Sequence, residues 1–203
     1  MAIQNIAVLG AGQMGNGITQ VAAAAGYNVT MIDIQQEYVD KGLATIERSL
    51  SKLVSKERMS QEDADATLAR ISLSTDRADC ADCDLVVEAV PEIVDLKTSI
   101  FAELDSICKP ETILASNTSS ISISTIANAT NRPDKVIGMH FMNPVPIMKL
   151  VEVINGNKTS SETNAAVIEA SEKMGKIALS CNDSPGFVSN RILCPMLNEA
   201  ILT

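Results

Sequence analysis

"NIAVLGAGQMGNGI", residues 5–18, decides the fold. Asn5 to Leu9 is an apolar run of strand length, and Gly10-Ala11-Gly12-Gln13-Met14-Gly15 follows it as G-x-G-x-x-G. Small, helix-compatible residues then continue as far as Gly26, which is placed to end a helix. Strand, glycine loop and helix in that order make the first turn of a dinucleotide-binding βαβ unit. Gly10 permits the tight turn, Gly12 lets backbone approach a pyrophosphate, and Gly15 lets helix and strand pack closely. The pyrophosphate itself sits at the positive end of the helix. Asp33 ends the next apolar run, "NVTMID", close to the spacing of about 20 residues expected for an acid that holds ribose hydroxyls. A carboxylate there repels the extra phosphate of NADP, and Ile34, Gln35 and Gln36 bring no positive charge to offset it. The cofactor expected is therefore NAD, with Gly10, Gly12, Gln13, Met14, Gly15 and Asp33 around it.

Outward from this unit the chain keeps alternating. Residues 35–55 carry Val39, Leu43, Ile46, Leu50 and Leu53 at helical spacing. Ser60 followed by Asp63 caps a further helix. "ISLST", "DLVVEAV", "TILASN" and "KVIGMHF" read as strands, with helices over 93–108 and 120–129 between the later ones. Strands separated by helices give an α/β fold, a Rossmann-like doubly wound and mostly parallel sheet. The link "NPVPIM" is too short for a helical crossover, so "KVIGMHF" and "KLVEVI" pair antiparallel at one edge of the sheet. From Gly186 onward the chain reads as one apolar helix that includes Phe187, Val188, Ile192, Leu193, Met196, Leu197, Ile201 and Leu202, with Pro195 kinking it. The expected division is residues 1–183 as the NAD-binding domain and 184–203 as the first helix of a truncated all-α C-terminal domain.

The bulk properties bound the function. With 203 residues, 46% of them apolar and 20% charged, the chain has an ordinary globular composition. A net charge of −9 disfavours nucleic acid and anionic membranes as partners. No run reaches membrane-spanning length, and "MAIQNIAVLG" has no basic leader, so the expected location is cytoplasmic. The five cysteines are irregularly spaced; Cys80-x-x-Cys83 lacks both a thioredoxin-like context and a second ligand pair, so no metal site is expected.

"HFMNPVPIMKLVEVI", residues 140–154, holds the only histidine of the chain. Alternation puts Leu150, Glu152 and Ile154 on one face of the second strand and Val151 and Val153 on the other. A carboxylate between two apolar faces needs a partner. A turn near Pro146 brings His140 opposite Glu152, where the carboxylate fixes the tautomer of the imidazole and stabilises imidazolium. That pairing suits a general acid/base, and a dinucleotide fold supplies a hydride that needs a proton to balance it.

Together, "GAGQMGNGI", "VVEAVPE", "ASNTSSISI", "HFMNPVPIMKLVEVI" and "DSPGFVSNRIL" resemble the NAD-dependent L-3-hydroxyacyl-CoA dehydrogenases along essentially the whole chain, and most closely their bacterial 3-hydroxybutyryl-CoA members. The resemblance implies the catalytic set His140, Glu152, Ser119 and Asn190, with His140 as acid/base, Glu152 its orienting partner, and Ser119 and Asn190 donors to the reacting oxygen. It implies Glu92, Lys97, Ser119 and Asn143 as cofactor contacts toward the nicotinamide. It also implies Ser49 and Lys56 as substrate contacts near the nucleotide end of coenzyme A, alongside Ser119 and Asn190 at the reacting end. Arg48, Lys52 and Lys56, four residues apart, supply a basic stripe for those phosphates. Met142 stands where the family commonly has phenylalanine, a volume-tolerant change. The implied reaction interconverts acetoacetyl-CoA and (S)-3-hydroxybutyryl-CoA, with an acyl-CoA as substrate and a homo-oligomer formed through the C-terminal helix. The competing reading is a catalytically incompetent NAD-binding module that acts by association.

Overall fold

The computed structural model describes residues 3–203. Eight strands form one sheet: β1 (Asn5–Leu9), β2 (Asn28–Ile32), β3 (Ile71–Ser74), β4 (Leu85–Glu88), β5 (Ile113–Ser116), β6 (Val136–Phe141), β7 (Leu150–Asn155) and β8 (Ile177–Asn182). Their spatial order is β3-β2-β1-β4-β5-β6-β7-β8. The first six run parallel, and the order reverses between β1 and β4, beside the glycine loop. That reversal is where an open α/β sheet leaves a crevice for ligands. β6 and β7 are antiparallel, as the short link requires, with His140 opposite Glu152 in register. β8 adds itself parallel to β7, so the reversed part of the sheet is two strands wide and β8 is the edge.

Helices cover both faces: α1 (Gln13–Ala24), α2 (Gln36–Ser55), α3 (Gln61–Leu68), α4 (Val94–Ile107), α5 (Ile123–Ala127), α6 (Ser161–Lys173) and α7 (Ser189–Leu202). Strand alternation sorts the core. Val8, Val87, Ala115, Met139 and Val153 pack with α1 and α6, whereas Leu9, Val86, Leu114 and Ile154 pack with α4 and α5. Glu88, His140 and Glu152 share the second face, two residues along their strands from Val86, Gly138 and Ile154. A third cluster under α2 and α3 buries Met31, Val39, Ile46 and Leu50.

The α3 cap forms as its sequence suggests, the Ser60 hydroxyl accepting the Asp63 N–H. Helix α5 is capped by Ser122, and Asp183 reinforces it by accepting the Ser122 hydroxyl and the Ser124 N–H. Cys80, Cys83 and Cys108 are buried free thiols, and burial pushes Cys83 and Cys108 up to about 11. Among the described residues no cluster of acidic, histidine or cysteine side chains could hold a metal ion.

One expectation is corrected. The apolar helix starts at Ser189, not Gly186. Phe187 takes a left-handed conformation (φ 50°) after Gly186 and turns inward, buried against the α4/α5 face and edge-on to His140 at 5.8 Å. A phenylalanine in that backbone region is unusual, and its burial holds it there. Helix α7 itself contributes no buried residue and leaves Ile192, Leu193, Met196, Leu197, Ile201 and Leu202 exposed. No helix among the described residues is long and apolar enough to cross a membrane.

Candidate active site

The glycine loop joins β1 to α1 under tight constraint. Gly10 has φ 99°, and a Cβ there would lie 2.6 Å from the Ala89 carbonyl oxygen; one on Gly15 would lie 1.7 Å from the Gly10 carbonyl oxygen. Gly12, at the N-cap of α1, has nothing within 4 Å of such a Cβ, which leaves the helix end open to a ligand. Asp33 secures the loop. Its Oδ2 accepts the Ala11 N–H at 2.7 Å and its Oδ1 accepts the Ile34 N–H at 2.7 Å. A cleft of about 1090 Å³ runs from Asp33 and Tyr38 over Gly10–Met14 to Ala89, Val90 and Pro91. Open glycine, free helix end and ribose-side carboxylate fit a dinucleotide.

Beyond Pro91 two carboxylates organise the carboxyl ends of β4 and β5. Glu88 is wholly buried. Its Oε1 accepts the Lys97 ammonium at 2.6 Å and the Val90 N–H at 2.7 Å, and its Oε2 accepts the Ser116 hydroxyl at 2.6 Å. Lys97 also donates to the Val90 carbonyl and pairs with Glu92 Oε2 at 3.3 Å. Glu92 Oε1 gathers the Thr118 hydroxyl, the Ser119 and Ser120 N–H groups and the Ser120 hydroxyl. Burial works against the Glu92 charge, but these donors, Thr118 first, and the Lys97 charge outweigh it and hold its carboxyl below the usual glutamate range.

The loop so fixed presents Ser119, whose Oγ lies 3.0 Å from His140 Nε2. His140 Nδ1 lies 2.8 Å from Glu152 Oε2. The imidazole is 5% exposed and Glu152 is fully buried. Glu152 Oε2 also accepts the Ser189 hydroxyl at 2.8 Å, while Oε1 accepts the Val188 and Ser189 N–H groups at 3.1 and 2.8 Å. The end of α7 thus docks on the same carboxylate as the histidine. Burial pushes Glu152 up, but the bonds from His140, Ser189 and Val188 prevail and keep it below the ordinary value, hence ionised. An ionised carboxylate only accepts, so Nδ1 carries the proton and Nε2 is left to exchange one. Asn190 donates through Nδ2 to the Ser119 carbonyl at 3.3 Å. Asn143, in the β6–β7 turn, accepts the Gln13 amide at 3.2 Å and so ties this cluster to the glycine loop.

Against this geometry stand the comparisons with known proteins. Residues 5–184 match the family model for the NAD-binding domain of 3-hydroxyacyl-CoA dehydrogenase. The chain belongs to the 3-hydroxyacyl-CoA dehydrogenase family. It is 58% identical to a probable 3-hydroxybutyryl-CoA dehydrogenase of Deinococcus radiodurans, over 96% of this chain and 69% of that one. It is 48% identical to the 3-hydroxybutyryl-CoA dehydrogenase of Clostridioides difficile, over 97% and 70%. The crystal structure of (S)-3-hydroxybutyryl-CoA dehydrogenase PaaH1 from Ralstonia eutropha superposes with a TM-score of 0.96 at 50% identity, covering 98% of this chain and 70% of that one. As a 3-hydroxyacyl-CoA dehydrogenase domain the chain is an NAD-dependent oxidoreductase.

Within this dehydrogenase domain the residues singled out from the sequence fall into two groups and a remainder. Gly10, Gly12, Gln13, Met14 and Asp33 line the cleft, with Gly15 packed beneath. His140, Glu152, Ser119, Asn190, Glu92 and Asn143 cluster at its far end. Lys97, expected as a cofactor contact, is 1% exposed with its ammonium spent on Glu88, Val90 and Glu92; it reaches the site through Glu92 instead. Ser49 and Lys56 do not line the cleft; Ser49 is half-buried on α2, and Lys56 is exposed at its C-cap. The sequence reading passed over Glu88, Ser116 and Ser189. Glu88 could have been found by the reasoning that found Glu152, since "LVVEAV" also buries a carboxylate in an apolar strand.

Proposed function

We propose that the chain carries the cofactor site and the proton-transfer apparatus of a 3-hydroxybutyryl-CoA dehydrogenase, acting between acetoacetyl-CoA and (S)-3-hydroxybutyryl-CoA. The observation that carries this reading is the relay Ser119–His140–Glu152, with every acceptor site of Glu152 filled by a donor. Bound NADH supplies the hydride to C3 of the oxo substrate, and NAD takes it back in reverse. His140 Nε2, beside the Ser119 hydroxyl, gives the matching proton to the C3 oxygen as imidazolium and recovers it in reverse. Glu152, held ionised, stabilises that imidazolium and keeps the ring oriented. Ser119 and Asn190 donate to the oxygen as negative charge builds on it. Glu92 holds the Ser119 loop, and Lys97 holds Glu92. Ser49 and Lys56 meet the nucleotide end of coenzyme A in the same reading, the exposed Lys56 facing its phosphates.

The test is loss of NADH absorbance with acetoacetyl-CoA for this chain and for His140→Gln. Turnover by the parent that largely disappears in the variant supports the assignment; equal turnover overturns it. The same assay with NADPH checks Asp33, and a preference for NADPH refutes it. A second reading has its own observation, the uncovered apolar side of α7. On it, residues 184–203 open a helical domain that follows the NAD-binding domain of residues 1–183, and α7 joins copies of a cytoplasmic homo-oligomer. An NADH-binding chain without turnover, self-associated by gel filtration, favours this association module over the catalyst.

A further inference from the structure

Lys176 is a buried cation without a counter-ion. It follows Gly175, the left-handed residue that ends α6, and is 8% exposed. Among the described residues no carboxylate pairs with it; its ammonium donates instead to two backbone carbonyls, Val145 and, at 2.9 Å, Met148. Both belong to the turn between β6 and β7. Inside that turn the Ile147 and Met148 N–H groups fold back onto the Pro144 carbonyl at 3.0 Å each. The Val145 and Met148 carbonyls are thus free to receive the ammonium. A methionine would fill the same space without desolvating a charge, and burial does drag Lys176 below the ordinary lysine range. What the ammonium adds is direction, because two converging N–H bonds fix where those carbonyls point.

The opposite side of the turn is equally confined. Val145 is buried, and a Cβ on Gly17 of α1 would come within 2.8 Å of its Cβ. The turn is therefore gripped between α1 and Lys176. Asn143 stands at its entry and accepts the Gln13 amide from the glycine loop. We propose that Lys176 is a positioning residue for the nicotinamide end of the cofactor site, setting the β6–β7 turn so that Asn143 meets the cofactor. This rests on the reading of Asn143 as a cofactor contact. The effect of Lys176 falls on the nicotinamide half, since Asp33 and the backbone of Gly10–Gly12 receive the other half and the turn meets the glycine loop only through the Gln13 side chain.

ADP-ribose, the cofactor without its nicotinamide, separates these halves. The experiment measures binding of NADH and of ADP-ribose by calorimetry to the full chain and to Lys176→Met, Lys176→Arg and Asn143→Ala. NADH affinity falls about tenfold in Lys176→Met and in Asn143→Ala, the scale of one lost hydrogen bond to the ligand, while ADP-ribose affinity stays within about twofold. Lys176→Arg, which keeps charge and donors, recovers most of the loss. Equal weakening of both ligands in Lys176→Met, or failure of that variant to fold, means that the lysine serves the fold at large and overturns the proposal. So does Lys176→Arg behaving like Lys176→Met. An unchanged NADH to ADP-ribose ratio in Lys176→Met beside a lowered one in Asn143→Ala also overturns it. A ratio unchanged in Asn143→Ala overturns the reading of Asn143 instead.

Discussion

Glu88 on β4 and Glu152 on β7, three strands apart, are both wholly buried on a shared sheet face, and they keep different company. Glu88 faces Lys97 in an ion pair at 2.6 Å that Ser116 and Val90 complete. With each oxygen bonded to a buried partner, Glu88 is a fixed post for the loops after β4 and β5. Glu152 faces His140, whose Nδ1 lies 2.8 Å from its Oε2, and an imidazole is the side-chain type suited to general acid/base work. Its remaining acceptor sites are filled by α7 backbone and a hydroxyl, which are neutral. The carboxylate is thereby held below its ordinary value and keeps its charge. On the proposed reading, partner choice separates a strut from a catalytic pair.

Four experiments strain this comparison. The largest effect is on rate: His140→Gln lowers turnover by about 10²–10⁴-fold, the range for loss of a general acid/base. Steady-state NADH oxidation measures it, and a loss below tenfold would break the catalytic half of the contrast. The next effect is on stability. Glu88→Gln strands the Lys97 ammonium without its anion and costs about 3–5 kcal/mol. Glu152→Gln costs less, about 1–3 kcal/mol, because His140 can release its proton. Urea unfolding of both variants ranks them, and the reverse order would undo the distinction. Removing both charges as Glu88→Met with Lys97→Met should recover most of what Glu88→Gln loses.

Ser189→Ala removes one of the donors on Glu152 Oε2, for about 0.5–1.5 kcal/mol in the same unfolding assay. Its rate stays far above that of His140→Gln; comparable rates would make the serine part of the chemistry. The smallest effect is with acid. Glu152, Glu92 and Asp183 all have folded values held below the ordinary range. Their contribution is complete above the unfolded carboxylate values of about 4 and is lost as pH falls through the lower folded ones. Urea midpoints should be level from about pH 7 to 5 and drop below about pH 4. A decline that begins at about pH 6 would point to a group other than these carboxylates.

Much of this was legible before any coordinates. The glycine loop announces itself because strand, turn and helix fall within one local segment. The His140–Glu152 register was readable because a short link leaves one geometry for two adjacent strands. What stayed hidden depends on distance along the chain. Glu152 draws three of its donor bonds from residues 36 and 37 positions later. Lys97 was expected to touch the cofactor because nothing local shows that its ammonium is spent on Glu88, Val90 and Glu92. Phe187 was assigned to the apolar helix because periodicity cannot register a single left-handed residue. Lys176 gave no signal at all, since its partners are backbone carbonyls and carry no sequence signature.

The division of Glu152 between two neighbours has a consequence of its own. Oε1 is spent on the first turn of α7 and Oε2 on the imidazole and Ser189, so helix and ring draw on one charge. Reciprocity then binds them: if swinging α7 away changes how tightly the ring holds its proton, protonating the ring changes the ease of that swing by the same factor. On the proposed reading, the seating of α7 and the readiness of the acid are then two sides of one equilibrium, joined at a single carboxylate.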